Sequence, residues 1–221
     1  MKRFIKRILS LVIKKQYGAI VTYKDPRRRK IFNLIDKIQK ENKLLMGYNE
    51  AYQLYMCVKT TNKIPGDIAE VGAFRGGSSK LICEAKGDKQ LYVFDTFKGL
   101  PQVKDVDSRS LKKGDFNSSY NFVKKYLNSY SNVILIKGLF PETAGPIINK
   151  KFSFVNLDVD IYQSTKDCLE FFYPRMNRGG IILSHDYSRL KGVEIAFNEF
   201  FKDKQEVIIE MSGSQCLIVK V

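Results

Sequence analysis

The chain has 221 residues, 44% of them hydrophobic, which is enough to bury one substantial core and suits a single α/β domain. Lys and Arg number 38 against 23 Asp and Glu, and the resulting charge of +15 draws an anionic partner: nucleic acid, a membrane surface or a phosphorylated substrate. No apolar run reaches the roughly eighteen residues that span a bilayer, and Cys57, Cys83, Cys168 and Cys216 form neither a CxxC pair nor a dense framework, which argues against a disulfide scaffold and a zinc site. The expectation is a protein of the reducing cytoplasm, neither secreted nor membrane-spanning.

In residues 1–15, Phe4, Ile5, Ile8, Leu9 and Val12 recur at helical spacing among Lys2, Arg3, Lys6, Arg7, Lys14 and Lys15. This predicts a basic amphipathic helix. It either makes peripheral contact with an anionic membrane, at the inner surface if so, or packs on its own domain or a second subunit. A basic patch, DPRRRK, follows from Asp25; Ile31, Leu34, Ile35 and Ile38 mark a second helix, and a third is expected around Tyr52 to Lys59. Residues 1–62 thus read as an N-terminal helical cap. Helical caps of this size often pair, which allows a homo-oligomer.

From residue 63 to 221 the pattern changes to short apolar runs separated by helical stretches: DIAEVG, a helix from Ser78, LYVFD, a polar segment, NVILIKG, FSFVNLDVD, IILSHDY, EVIIE and CLIVKV. Strands alternating with helices predict a doubly wound, mostly parallel sheet of seven strands, with cap and sheet forming one compact unit. The turn residues MSGSQ between the last two runs predict a closing antiparallel hairpin at the sheet edge. Gln102 to Tyr120, polar and without apolar periodicity, reads as a mobile loop that closes over a site.

Four groups carry chemistry. In EVGAFRGGSSK, Glu70 and Gly72 end the first strand, and Gly76, Gly77 and Ser78 open a helix; such a turn at a strand's carboxyl end suits either a nucleotide-like ligand or a tight turn with none. Asp95 ends LYVFD, where an acid accepts hydrogen bonds from ribose hydroxyls. Asp158 and Asp160 follow the fourth apolar run, and strand periodicity turns both carboxylates the same way, so a hard cation such as Mg²⁺ is a natural occupant; the alternative is an N-cap plus a salt-bridged Asp. His185, the sole histidine, and Asp186 end the fifth run, where imidazole serves metal binding, proton transfer or structure. Tyr48, Tyr52, Tyr55 and Phe97 either line a sugar pocket or belong to the core.

Together, IPGDIAEVGAFRGGSSKLI, VFDTFKGLP, IKGLFPETA, LDVDIYQSTKDCLEFFYPR and GGIILSHDY closely resemble the macrocin O-methyltransferase family, over about Thr22 to Phe201. The resemblance implies a Rossmann-like class I methyltransferase fold and S-adenosylmethionine-dependent, divalent-metal-assisted methylation of a hydroxyl on a small molecule or glycan, commonly a sugar of a natural product. It assigns Glu70, Gly72, Ala73, Phe74, Arg75, Gly76, Ser78 and Ser79 to the cofactor loop and Asp95 and Thr96 to the ribose. Gly138 and Phe140 fall to the adenine side, with Asp158 bordering the cofactor. Asp158, His185 and Asp186 match the metal positions, and Asp160 matches the general base, so Asp158, Asp160 and His185 are the expected catalytic residues. The family usually has two aspartates where this chain has His185 and Asp186, and exchanging a carboxylate for imidazole favours Mn²⁺ over Mg²⁺. Nucleic acid is the disfavoured acceptor, since DVD is poor company for phosphates. A non-catalytic scaffold and a nicotinamide dehydrogenase compete with the methyltransferase reading, though the dehydrogenase would require a GxGxxG that the chain lacks.

Overall fold

The structure is a computed structural model and describes residues 25–221. The basic helix expected over residues 1–15, and with it the membrane contact, lies outside the described residues. No helix among the described residues is long and apolar enough to cross a membrane.

Helix α1 (Pro26–Glu41) starts where the Asp25 side chain accepts a hydrogen bond from the Arg27 amide and proline fills the first turn. Helix α2 (Tyr48–Thr61) begins four residues earlier than Tyr52, because Glu50 Oε2 reaches back to accept from the Gly47 amide at 2.8 Å and closes the first turn. Ile35 and Ile38 of α1 and Ala51, Leu54 and Val58 of α2 are fully buried, and they share one apolar cluster with the sheet.

The sheet consists of β1 (Asp67–Val71), β2 (Leu91–Asp95), β3 (Val133–Lys137), β4 (Phe152–Leu157), β5 (Met176–Ser184), β6 (Ile209–Glu210) and β7 (Cys216–Val219). Between them run α3 (Gly77–Ala85), α4 (Tyr120–Leu127), α5 (Tyr162–Phe172) and α6 (Lys191–Phe201). The strand order is β3-β2-β1-β4-β5-β7-β6; the first five are mutually parallel, and β7 is antiparallel to both β5 and β6. The expected closing hairpin is therefore present. The order reverses between β1 and β4, and the crevice at that switch point is where a doubly wound sheet receives ligands.

Alternation along the strands divides the core in two. Ile68, Leu91, Val93, Phe154 and Leu183 face α1, α2 and α3, while Ala69, Val71, Phe94, Val155 and Ile182 face the phenylalanine-rich side of α5 and α6.

Two expectations need correction. EVIIE yields only the two residues of β6, because Glu206 turns inward to Lys220 Nζ (2.5 Å) and the Tyr173 hydroxyl (2.7 Å) instead of joining the ladder. The DVD segment is not strand: β4 ends at Leu157, and Asp160 adopts φ 62°. Strand periodicity therefore does not orient its carboxylates.

Candidate active site

A cavity of about 610 Å³ opens at the carboxyl ends of β1, β2, β4 and β5. Its floor is the loop after β1. Gly72 there has φ 92°, and a Cβ would collide with the Asp158 carbonyl, so glycine lets the β1 and β4 ends close on each other. The same loop is held from the side by Asp95. Its Oδ2 accepts from the amides of Ala73 (2.9 Å) and Phe74 (2.7 Å), and its Oδ1 from the Phe97 amide (2.6 Å). Burial pushes the Asp95 carboxyl above its ordinary range despite these three amides.

Gly72, Ala73, Phe74, Ser78, Asp95, Thr96, Gly138, Phe140 and Asp158 line the cavity, as do Asp160, His185 and Asp186. Glu70, Arg75, Gly76 and Ser79 do not line it. Glu70 points below the loop, fully buried, where it accepts from the Ser79 hydroxyl and from Asn156 Nδ2 at 3.1 Å. Burial there raises its carboxyl to about 7. Gly76, at φ 81°, packs under Val123, and the Arg75 guanidinium lies 5.1 Å from the Phe122 ring centre. Their part is to shape the loop.

The opposite end is a cluster of charge. His185, 6% exposed, has Nδ1 at 3.2 Å from Asp158 Oδ1 and 3.0 Å from Asp186 Oδ2. Its Nε2 faces Glu50 Oε2 at 3.4 Å. Burial opposes a charge on the imidazole, but the neighbouring carboxylates of Asp158, Asp186 and Glu50 outweigh it and hold the ring's pKa far above the usual histidine range. Burial together with the Asp158 and Asp186 charges pushes the Asp160 carboxyl well up. Asp160 and Asp186, in the turns that follow β4 and β5, both sit at positive φ (62° and 57°), a conformation that non-glycine residues adopt at a cost. One ligand atom from each of Asp158, His185 and Asp186 lies within 4.8 Å of the others. Two hard oxygens and one imidazole nitrogen at such spacing can receive a divalent cation, which would take the place of the proton shared at Nδ1.

Several lining residues carry no signal readable in the sequence. Lys43 to Gly47 and Glu50 enter from the cap, Leu111 and Phe116 from the loop after β2, and Arg189 from beyond β5. That loop, read as mobile, is tied down at Asp107, whose Oδ1 accepts from the Tyr162 amide at 2.7 Å. None of Tyr48, Tyr52, Tyr55 and Phe97 lines the cavity. The Tyr48 hydroxyl bonds to Asp36 Oδ1 (2.5 Å), Tyr52 stacks on Phe32 at 5.4 Å, Tyr55 packs on the cap-side core, and Phe97 meets Tyr120 edge-on at 5.3 Å.

Comparison with known proteins agrees with this architecture. Among solved structures, CalS11, a calicheamicin methyltransferase, superposes with a TM-score of 0.71 at 17% identity, covering 90% of this chain and 94% of that one. The O-methyltransferase NovP gives 0.69 at 23% identity, covering 80% and 82%. An O-methyltransferase from Bacillus cereus in complex with SAH gives 0.58 at 12% identity, covering 96% and 97%. At these identities the likeness establishes the fold.

In sequence, the chain is 29% identical over 163 residues to 8-demethyl-8-(2,3-dimethoxy-alpha-L-rhamnosyl)-tetracenomycin-C 4'-O-methyltransferase of Streptomyces olivaceus, a match covering 65% of this chain and 62% of that relative. It is 26% identical over 222 residues to demethyldecarbamoylnovobiocin O-methyltransferase of Streptomyces niveus, covering 87% and 84%. The chain thus spans under two thirds of the first relative's length. The family profile described as Macrocin-O-methyltransferase (TylF) matches residues 6–213, nearly the whole sequence, and the chain belongs to that family.

Proposed function

We propose that the protein transfers the methyl group of S-adenosylmethionine to a hydroxyl of a sugar, in a glycan or a glycosylated natural product. The observation that carries this reading is the joining, in one cavity, of a glycine loop clamped by Asp95 with the acidic cluster at Asp158, Asp160 and Asp186. Membership of the family supports the reaction, and the rhamnosyl tetracenomycin relative, named for a 4'-O-methyl transfer, supports the acceptor class.

The donor end is assigned to the loop Gly72 to Ser78, with Asp95 and Thr96 at the ribose and Gly138 and Phe140 beside the adenine. Three amides occupy Asp95, and a carboxylate has about four lone-pair sites, so capacity remains for a hydroxyl. Methyl transfer from a sulfonium is an in-line displacement: the oxygen–carbon bond forms as the carbon–sulfur bond breaks, and the hydroxyl proton must leave. Alignment of the two substrates supplies much of the acceleration. Asp160, on the cavity wall, is assigned to take the proton in its ionised form, which a cation held at Asp158 and Asp186 would favour by offsetting their charges.

Asp158, His185 Nδ1 and Asp186 are the residues that would hold a divalent cation. When bound it would make the acceptor hydroxyl more acidic, and the imidazole donor favours Mn²⁺ over Mg²⁺. Titration calorimetry with S-adenosylmethionine, with and without Mn²⁺, followed by methyl transfer to a panel of glycosides and nucleotide-linked sugars, tests the reading. Saturable donor binding and a methylated sugar are expected. Absence of donor binding under every condition overturns the reading.

A further inference from the structure

We propose that Glu50, from the helical cap, is the positioning residue of His185: it occupies the Nε2 side of the ring and so directs Nδ1 at Asp158 and Asp186. The inference rests on the proposed function only in giving that ring a task; the geometry stands by itself. His185 is buried, and its Nε2 makes no hydrogen bond of ordinary length among the described residues. Glu50 Oε2, at 3.4 Å, is the acceptor that faces it.

Two features separate this from a carboxylate that merely caps its own helix. The Glu50 side chain is pinned at both oxygens, Oε2 by the Gly47 amide (2.8 Å) and Oε1 by the amide and hydroxyl of Ser214 (2.8 Å each). Capping α2 needs only the first of these. The Ser214 hydroxyl in turn stands 3.2 Å from Asp186 Oδ1, so the turn between β6 and β7 joins Glu50 to a second member of the cluster. Gly213, at φ 110°, gives the carboxylate its room, since a Cβ there would lie 2.8 Å from both Cγ and Oε1 of Glu50.

A neutral imidazole has one nitrogen that donates and one that accepts. When a cation takes the place of the Nδ1 proton the ring is neutral, and with Glu50 as the acceptor at Nε2 the remaining proton stays on that nitrogen while the Nδ1 lone pair serves the ligand on the cavity side. This is the carboxylate–histidine arrangement that fixes ring orientation in metal sites, where loss of the carboxylate commonly weakens metal binding roughly ten- to a hundredfold.

Because His185 is the sole histidine, the full chain labelled with ¹⁵N-histidine, its purification tag removed, presents a single imidazole to NMR. Ring nitrogen shifts are recorded for wild type, Glu50→Gln and Glu50→Asp, free and with Zn²⁺, and Mn²⁺ affinity is read by electron paramagnetic resonance. Glutamine keeps the size without the charge; aspartate keeps the charge and can still cap α2, but falls short of the ring. The expected result is a protonated Nε2 in the Zn²⁺-loaded wild type, a shifted or solvent-exchanging Nε2 signal in both variants, and Mn²⁺ binding weakened roughly ten- to a hundredfold. Ring signals in either folded variant that superimpose on wild type overturn the proposal, whatever happens to Mn²⁺ affinity. A wild type that binds no Mn²⁺ removes the cation from the proposed function instead, and the metal-free ring signals then decide the role of Glu50 alone.

Discussion

At the glycine-loop end of the cavity the groups that meet a ligand are mostly backbone, held by one side chain, Asp95, across two adjacent strands. At the acidic end they are side chains from four separate segments: Glu50 of α2, Asp158 and Asp160 after β4, His185 and Asp186 after β5, and Ser214 between β6 and β7. The first end is local and tolerates side-chain change so long as the turn closes. The second is a balance of like charges around one imidazole, and removing any member leaves others unpaired in a buried place. Substitutions at the two ends should therefore fail in different ways, the first in binding and the second in turnover.

The largest effect is expected at Asp158. Asp158→Ala should lower turnover roughly thousandfold, within the range for loss of a group acting in the transition state. The fold and S-adenosylmethionine affinity should stay near wild type, read by circular dichroism and calorimetry. Undiminished single-turnover rates would remove Asp158 from the chemistry. A parallel loss of donor binding would erase the distinction between the two ends.

Glu70 sharpens the comparison from beneath the loop. Its carboxyl, near 4.5 in an unfolded chain, is raised to about 7 by burial. The folded state therefore holds more protons than the unfolded state between those values, and stability must fall as pH rises from about 4.5 to 7. The full contribution is on the order of 3 kcal/mol, from about 1.36 kcal/mol per unit. Glu70→Gln should flatten this slope, so that thermal unfolding of variant and wild type diverges upward from pH 5 to pH 8. Parallel curves would mean that Glu70 stays ionised, with its hydroxyl and amide partners compensating for burial.

These two residues also mark what residue order alone reveals. The succession of strands and helices, the edge hairpin and the position of Asp95 are legible because each rests on a local run of apolar residues ending in a turn; the order of the strands in the sheet comes only from the structure. Glu70 is assigned to the cofactor loop by the family resemblance. Its side chain in fact points beneath the loop toward α3 and does not line the cavity, and only the Ser79 and Asn156 partners reveal this. The acidic end is half legible. Asp158, Asp160, His185 and Asp186 stand at strand ends, but Asp160 and Asp186 lie in turns at positive φ, where strand alternation does not orient them. Glu50 gives no sign, because on α2 it is one polar residue among several, and only the return of the chain at Ser214 gives it a partner.

A smaller effect is expected at Asp95. Asp95→Asn keeps the shape but puts an amide nitrogen where one oxygen accepts backbone amides. S-adenosylmethionine affinity should weaken about tenfold, or about 1.4 kcal/mol, with little change in the rate of the bound complex. A change confined to turnover would assign Asp95 to the other end.

The smallest effect lies where the two ends are joined. Helix α5 starts immediately after the DVD turn, and its N-cap residue, Ile161, has no side chain able to bond the free amides. Asp107 supplies that bond from the loop after β2, taking the Tyr162 amide at Oδ1 (2.7 Å) and the Lys104 amide at Oδ2 (2.9 Å). Gly192 at the start of α6 leaves the room, since a Cβ there would collide with Asp107 Oδ1. Loss of a cap costs about 1 kcal/mol, which in a chain of this size lowers the melting temperature by about 2–4 °C. Asp107→Ala should show that shift, together with a raised KM for the acceptor, because the loop that carries Leu111 and Phe116 to the cavity loses its tether. Asp107→Asn, which can still accept at one oxygen, should recover most of both. A melting shift with unchanged KM would make Asp107 a cap only, and the loop would then owe its place to its other ties, such as the Ser118 hydroxyl on the Phe74 carbonyl.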